Sequence, residues 1–203
     1  MSRKSHWEGI YRDKDEREVS WHQDQPLMSL RLIEQAGVAP DEAVIDVGGG
    51  ASHLVDRLLE QGFTDVTVLD LADSALAQAR NRLGERATAV HWTEADVTAW
   101  RPERTYRLWH DRAVFHFLTE AEDRAAYLDA LKAAVPAGGF AVVATFAPEG
   151  PEQCSGLPVV RYSPESLQAT LGPGFELLSV QVEEHHTPAG KPQEFAGCLF
   201  RRL

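Results

Sequence analysis

Between residues 43 and 146 five short apolar runs alternate with amphipathic helical stretches, and the first run ends in three consecutive glycines. Ala43–Val47 closes on Gly48-Gly49-Gly50. A helix follows with Leu54, Val55, Leu58 and Leu59 in one stripe, stopped by Gly62. Val66–Asp70 is the second run. Asp73 is placed to cap the next helix, whose Leu76, Ala79 and Leu83 face inward before Gly84. Thr88–Trp92 and Thr105–His110 are the third and fourth runs. Thr119-x-x-Glu122 reads as a capping box for a helix burying Leu128, Leu131 and Val135. Pro136-Ala-Gly-Gly then turns the chain into Phe140–Phe146. Strands that are apolar nearly throughout are covered on both faces, which is the signature of a parallel sheet between helical layers.

The flanks differ. After residue 147 comes a Pro- and Gly-rich loop, then Ser163-Pro164 as N-cap and first helical position. Residues 175–184 and 195–202 are strands joined by about ten residues, too few for a helical crossover, so they pair antiparallel. His185-His186 falls in that connection and reads as a solvated pair with no third metal ligand; no metal site is expected. At the other end, residues 1–25 are polar yet carry Trp7, Tyr11 and Trp21. A helix from Pro26 places Leu27, Leu30 and Ile33 on one face and stops at Gly37. The expectation is an α/β fold in three layers: a doubly wound, seven-stranded, mostly parallel sheet with an antiparallel C-terminal hairpin. Residues 1–38 form a helical lid and residues 39–203 one globular unit.

Charge and cysteine content exclude other classes. A net charge of −11 opposes binding to nucleic acid or an anionic membrane. No run approaches a membrane span, and the polar N-terminus does not resemble a secretion signal. Cys154 and Cys198 form no metal-binding pattern. A cytoplasmic, disulfide-free protein is expected.

Open parallel sheets bind ligands beyond the carboxyl ends of their strands. Asp46, Asp70 and Asp96 all fall at such positions. The glycines at 48–50 admit a close approach of main chain to a ligand. Asp70 follows Asp46 by 24 residues, near the offset at which a carboxylate reaches a ribose diol. An adenosine-containing ligand follows. His53 stands where a dinucleotide-binding turn needs a small residue, and the G-K-[ST] of a phosphate-binding loop is missing.

With these residues in order, the chain resembles the class I S-adenosylmethionine-dependent methyltransferases over approximately residues 43–200. Val44-Ile-Asp-Val-Gly-Gly-Gly is similar to the family's first motif, with Ser52 in place of its optional third glycine. Val68-Leu-Asp70-Leu71 resembles the ribose-binding second motif, and Glu94-Ala-Asp96-Val97 the adenine-binding third. Leu108-Trp-His-Asp-Arg-Ala-Val-Phe115 occupies the fourth-strand motif that lines the transfer site. The resemblance implies a Rossmann-like fold, S-adenosylmethionine as cofactor and S-adenosylhomocysteine as product.

It further implies roles. Asp70 and Leu71 bind the ribose, Asp96 and Val97 the adenine. Gly48, Gly49, Gly50 and Ser52 underlie the methionine portion, and Asp46 orients that turn and the ammonium. Trp7, Tyr11, Trp21, Phe115 and Phe117 form an aromatic lid that favours a sulfonium cation. Trp7, Tyr11, Arg112 and Phe115 contact the acceptor, and Asp111 or His110 takes its proton. The acceptor is a small molecule or a protein side chain. A nucleotide-dependent oxidoreductase of similar architecture and a non-catalytic donor-binding module stand as alternatives.

Overall fold

A computed structural model describes residues 2–203. The parallel core runs β1 (Val44–Val47), α3 (Leu54–Glu60), β2 (Val66–Asp70), α4 (Asp73–Leu83), β3 (Val90–Glu94), β4 (Leu108–Arg112), α5 (Ala121–Ala134) and β5 (Phe140–Phe146), with α1 (Arg3–Asp13) and α2 (Leu27–Ala36) ahead of it. A small ladder, β6 (Gln153–Cys154) with β7 (Leu157–Pro158), leads to α6 (Pro164–Leu171) and the hairpin β8 (Phe175–His186) and β9 (Pro192–Arg202). The seven-stranded sheet has the order β3-β2-β1-β4-β5-β9-β8, parallel from β3 to β5 and antiparallel beyond. This is the architecture expected from the sequence.

Strand alternation divides the core in two. Val44, Leu108 and Val142 point to a layer filled by Met28, Leu32, Leu54, Leu58 and Leu76. Their neighbours Ile45, Trp109 and Val143 point to the layer of Tyr127, Leu131, Leu167 and Leu171. Several local expectations fail for tertiary reasons. β3 starts two residues late, because a 3-10 turn over Gly84–Ala89 keeps the chain wound. β4 likewise starts at Leu108, since the Tyr106 N–H is spent on the Ala134 carbonyl. The Thr119/Glu122 box does not form: α5 begins after Glu120 without a side-chain cap, and Arg124 instead holds the Leu118 and Thr119 carbonyls at 2.8 and 2.7 Å. Ser163 does cap α6, accepting from the Ser166 N–H.

The N-terminal 38 residues do two different things. α2 belongs to the sheet's own layer and buries Met28, Ser29, Leu32, Ile33 and Ala36; of the face read from the sequence, only Ile33 is in the core, and Leu27 is exposed. α1 lies against α4 over the ends of the parallel strands. His185 and His186 prolong β8 rather than a loop, and His185 is buried with Nε2 2.8 Å from the Ser20 carbonyl.

Candidate functional site

The C-terminal tips of β1, β2 and β4, the residues just after β3, and the underside of α1 enclose a cleft with about 760 Å³ of empty space. Asp70, Leu71, Asp96 and Val97 line one side, and Trp7, Tyr11 and Trp21 the other. Gly48 and Arg112 stand at the boundary with a second chamber of about 540 Å³, whose walls include Ser29, Asp46, Gly49, Ser52 and His110.

The turn after β1 is built for close approach. Gly48 has φ +69°, a left-handed conformation that a side chain disfavours. At Gly49 a β-carbon would lie 2.5 Å from Asp46 Oδ2, and at Gly50 2.6 Å from Asp70 Oδ2. The bare main chain therefore lets two carboxylates turn in beneath it. Gly50 itself does not line either chamber.

Asp46 is buried, and its Oδ1 meets His110 Nδ1 at 2.7 Å; His110 Nε2 in turn meets Ser29 Oγ at 2.8 Å. Asp46 Oδ2 is buried without a partner. Asp70 accepts from the Ala72 N–H at 2.9 Å, and no described residue forms an ion pair with it. Burial, with Asp46 nearby, pushes its pKa up to about 7. Asp96 Oδ1 accepts from both the N–H and the hydroxyl of Thr98, at 2.9 and 2.7 Å, which fixes its orientation. Trp7 meets Trp21 and Phe117 edge-on at 5.6 and 5.0 Å, and Tyr11 meets Trp21 at 6.0 Å. Burial raises the Tyr11 phenol well above its ordinary range, so it stays protonated.

Two expected residues are not at the site. Asp111 is fully buried on the opposite face of β4, where its oxygens accept from Val114 N–H (2.8 Å), Phe115 N–H (3.0 Å) and the Tyr127 hydroxyl (2.7 Å). That carboxylate organises the turn after β4 and lines neither chamber, so it does not reach an acceptor's proton. Phe115 likewise packs on Tyr127 and Tyr162, at 4.8 and 5.5 Å, and leaves the aromatic roof to Trp7, Tyr11, Trp21 and Phe117. His110 does reach the second chamber, but both its nitrogens are engaged, so it holds Asp46 rather than a substrate.

The cleft also contains residues that sequence patterns did not single out. Arg3 reaches in from α1, paired to Asp123 at 2.5 Å, and Cys154 arrives from the β6–β7 ladder. Ser29 joins through α2. Phe117, by contrast, is one of the aromatics expected in the lid, and it does line the cleft. At the outer rim of the second chamber, His22, Asp24 and His53 bring ligand-type atoms within 4.8 Å of one another, though His22 is already paired to Asp24 and His53 to Glu16.

Residues 44–139 match the methyltransferase domain family model. Among solved structures, one from work on conversion of a disulfide bond into a thioacetal group during echinomycin biosynthesis superimposes with a TM-score of 0.77 at 21% identity, over 98% of this chain and 92% of the other. The 1,6-didemethyltoxoflavin-N1-methyltransferase of Burkholderia thailandensis gives 0.75 at 19% identity, over 98% and 87%. Residues 44–139 thus carry a methyltransferase-domain match, and the chain shares the fold of S-adenosylmethionine-dependent methyltransferases. Curated relatives are an eEF1A lysine and N-terminal methyltransferase of Danio rerio, 24% identical over 62% of this chain and 18% of its own length, and a ubiquinone biosynthesis O-methyltransferase of Nitrosomonas europaea, 29% identical over 61% and 52%. The chain thus spans less than a fifth and about half of those two proteins.

Proposed function

We propose that this protein transfers a methyl group from S-adenosylmethionine to a nucleophile on a small molecule or a protein side chain. The observation that carries it is the set of carboxylates at adjacent strand ends: Asp46 with a buried, partnerless oxygen, Asp70 with no cationic partner, and Asp96 held by Thr98. Buried polar atoms without partners are costly unless a ligand completes them. Asp70 would accept from ribose hydroxyls, and Asp96 from an adenine amino group between Leu71 and Val97. Asp46 would accept from the ammonium, with Gly48, Gly49, Ser52 and Trp21 around the amino-acid portion. Bound there, the donor supplies an electrophilic methyl carbon on a sulfonium.

The chain's own part is orientation and exclusion of water, which together contribute several kcal/mol. Asp111 is buried away from the cleft and both His110 nitrogens are engaged, so the acceptor enters as its free base. Trp7, Tyr11, Trp21 and Phe117 present π faces and edges to the cleft, where a cation is favoured over its neutral product by about 1–2 kcal/mol. We place the protein in the cytoplasm: both cysteines are free and buried, and among the described residues no helix is long and apolar enough to cross a membrane. The net charge of −11 disfavours nucleic acid as acceptor.

Calorimetric titration with S-adenosylhomocysteine tests this. Binding to the wild-type protein, weakened about 30- to 100-fold in Asp70→Ala through loss of charge-assisted hydrogen bonds, is the expected result. Equal affinity in the two proteins would remove the ribose assignment.

A further inference from the structure

Among the described residues, Arg112 is the one guanidinium on the boundary of both chambers, and it is poorly satisfied. Its side chain is only 10% exposed. Nη1 donates to the Trp21 carbonyl at 3.1 Å, while Nε and Nη2 are buried with no hydrogen-bond partner. The nearest carboxylate oxygen, Glu183 Oε1, is 3.9 Å from Nη2 and already accepts from Gln23 Nε2 at 2.6 Å. The guanidinium plane rests against Phe195, 4.3 Å from the ring centroid. Burial pulls its pKa down to about 10, so it stays charged at neutral pH while bearing a desolvation cost that Glu183 only partly offsets. The following residue, Ala113, has φ +74°, uncommon for a residue with a β-carbon and a feature that clusters at ligand-binding sites.

We infer that Arg112 is the receptor for a carboxylate carried by the methyl acceptor, which would complete the hydrogen bonding that the guanidinium lacks. The inference rests on the methyl-transfer reading above. A planar guanidinium edge matches a carboxylate with two parallel hydrogen bonds. A dianionic phosphate is disfavoured because Arg112 supplies a single positive charge and Asp46 and Asp70 stand in the same walls. Ser52 offers the donor's own carboxylate a different partner. Ser52 Oγ accepts from the Leu54 N–H, which leaves its hydroxyl proton to donate within the chamber that holds Asp46. Arg112 instead lies at the end of β4 beside Ala113, Val114, Phe117 and Cys154, walls that suit the apolar body of a small aromatic or aliphatic acid.

Benzoate and benzamide, alike in shape and different in charge, serve as probes. They are titrated into the protein saturated with S-adenosylhomocysteine, and the same is done with Arg112→Gln and Arg112→Lys. The expected result is at least tenfold tighter binding of benzoate than of benzamide to wild type. Arg112→Gln abolishes that preference, Arg112→Lys retains part of it, and the affinity of Arg112→Gln for S-adenosylhomocysteine stays within threefold of wild type. Three results would overturn the inference: no benzoate preference in wild type, a preference that survives Arg112→Gln in a folded protein, or a tenfold loss of S-adenosylhomocysteine affinity with 5′-methylthioadenosine unaffected, which would assign Arg112 to the donor. Should wild type bind no S-adenosylhomocysteine, the methyl-transfer reading fails separately, and the benzoate comparison on the free protein still decides the role of Arg112. The wild-type comparison needs no variant to fold.

Discussion

Asp46 and His110 sit directly opposite one another on paired strands β1 and β4, and their side chains meet at 2.7 Å with both residues at most 3% exposed. His110 thereby leaves one oxygen of Asp46 for hydrogen bonding elsewhere, and Ser29 fixes the far side of the ring. His110→Ala leaves a buried carboxylate without its partner. A loss of about 2–3 kcal/mol in unfolding free energy, read from urea denaturation, is expected. S-adenosylhomocysteine affinity should fall as well, since Asp46 is no longer aimed at the glycine turn; a variant of wild-type stability and affinity would contradict this arrangement.

If Asp70 binds the ribose as proposed, donor binding should depend on pH. Its folded pKa, about 7, lies above the ordinary value of 3.8 because burial penalises the charge. The free protein therefore holds a proton there that the unfolded chain has lost, so Asp70 costs little below about pH 4 and progressively more as pH rises to about 7. In the proposed binding mode, ribose hydroxyls would donate to the carboxylate and favour its charged form. Affinity for S-adenosylhomocysteine should consequently rise with pH up to about 7, by at most about tenfold per unit, with proton release on binding. Titration calorimetry in buffers of different ionisation enthalpy measures that release. Asp70→Asn should bind more weakly with no such release, and its free form should gain stability over wild type at pH 8 more than at pH 5.

Glu8 of α1 does what Asp73 was expected to do. It accepts from the N–H groups of Asp73 and Ser74, at 2.8 and 3.3 Å, and ties the roof of the cleft to the start of α4. The Ser74 hydrogen bond is foremost in holding its carboxyl below the usual range. Glu8→Ala should cost about 1 kcal/mol of stability, as loss of a helix cap does, and speed amide exchange at Asp73 and Ser74. Exchange unchanged at those two amides would mean that α1 is not fastened there.

The carboxylates lining the chambers were legible because two local rules coincide in them: they fall at strand ends, and Asp46 and Asp70 do so around a glycine turn that no side chain could occupy. His110 and Asp111 show where such reading stops. Both end the same strand, and both carry a polar group suited to proton transfer. Successive strand residues point to opposite faces, so one reached the second chamber and the other the layer of Tyr127. Their partners, Asp46 and Tyr127, lie 64 and 16 residues away in the chain, and composition says nothing about either pairing.

Hydrophobic period, strand-end acids and glycines are local quantities, and by themselves they determined the layer order, the antiparallel hairpin and the three acids of the cleft. Which helix end Glu8 serves, which face Asp111 takes, why Arg112 keeps two buried donors without partners and how Cys154 enters the cleft were decided only in the tertiary structure. Each depends on which distant segment fills the space beside the residue, and burial sets the energetic consequence of a polar group only after that neighbour is in place.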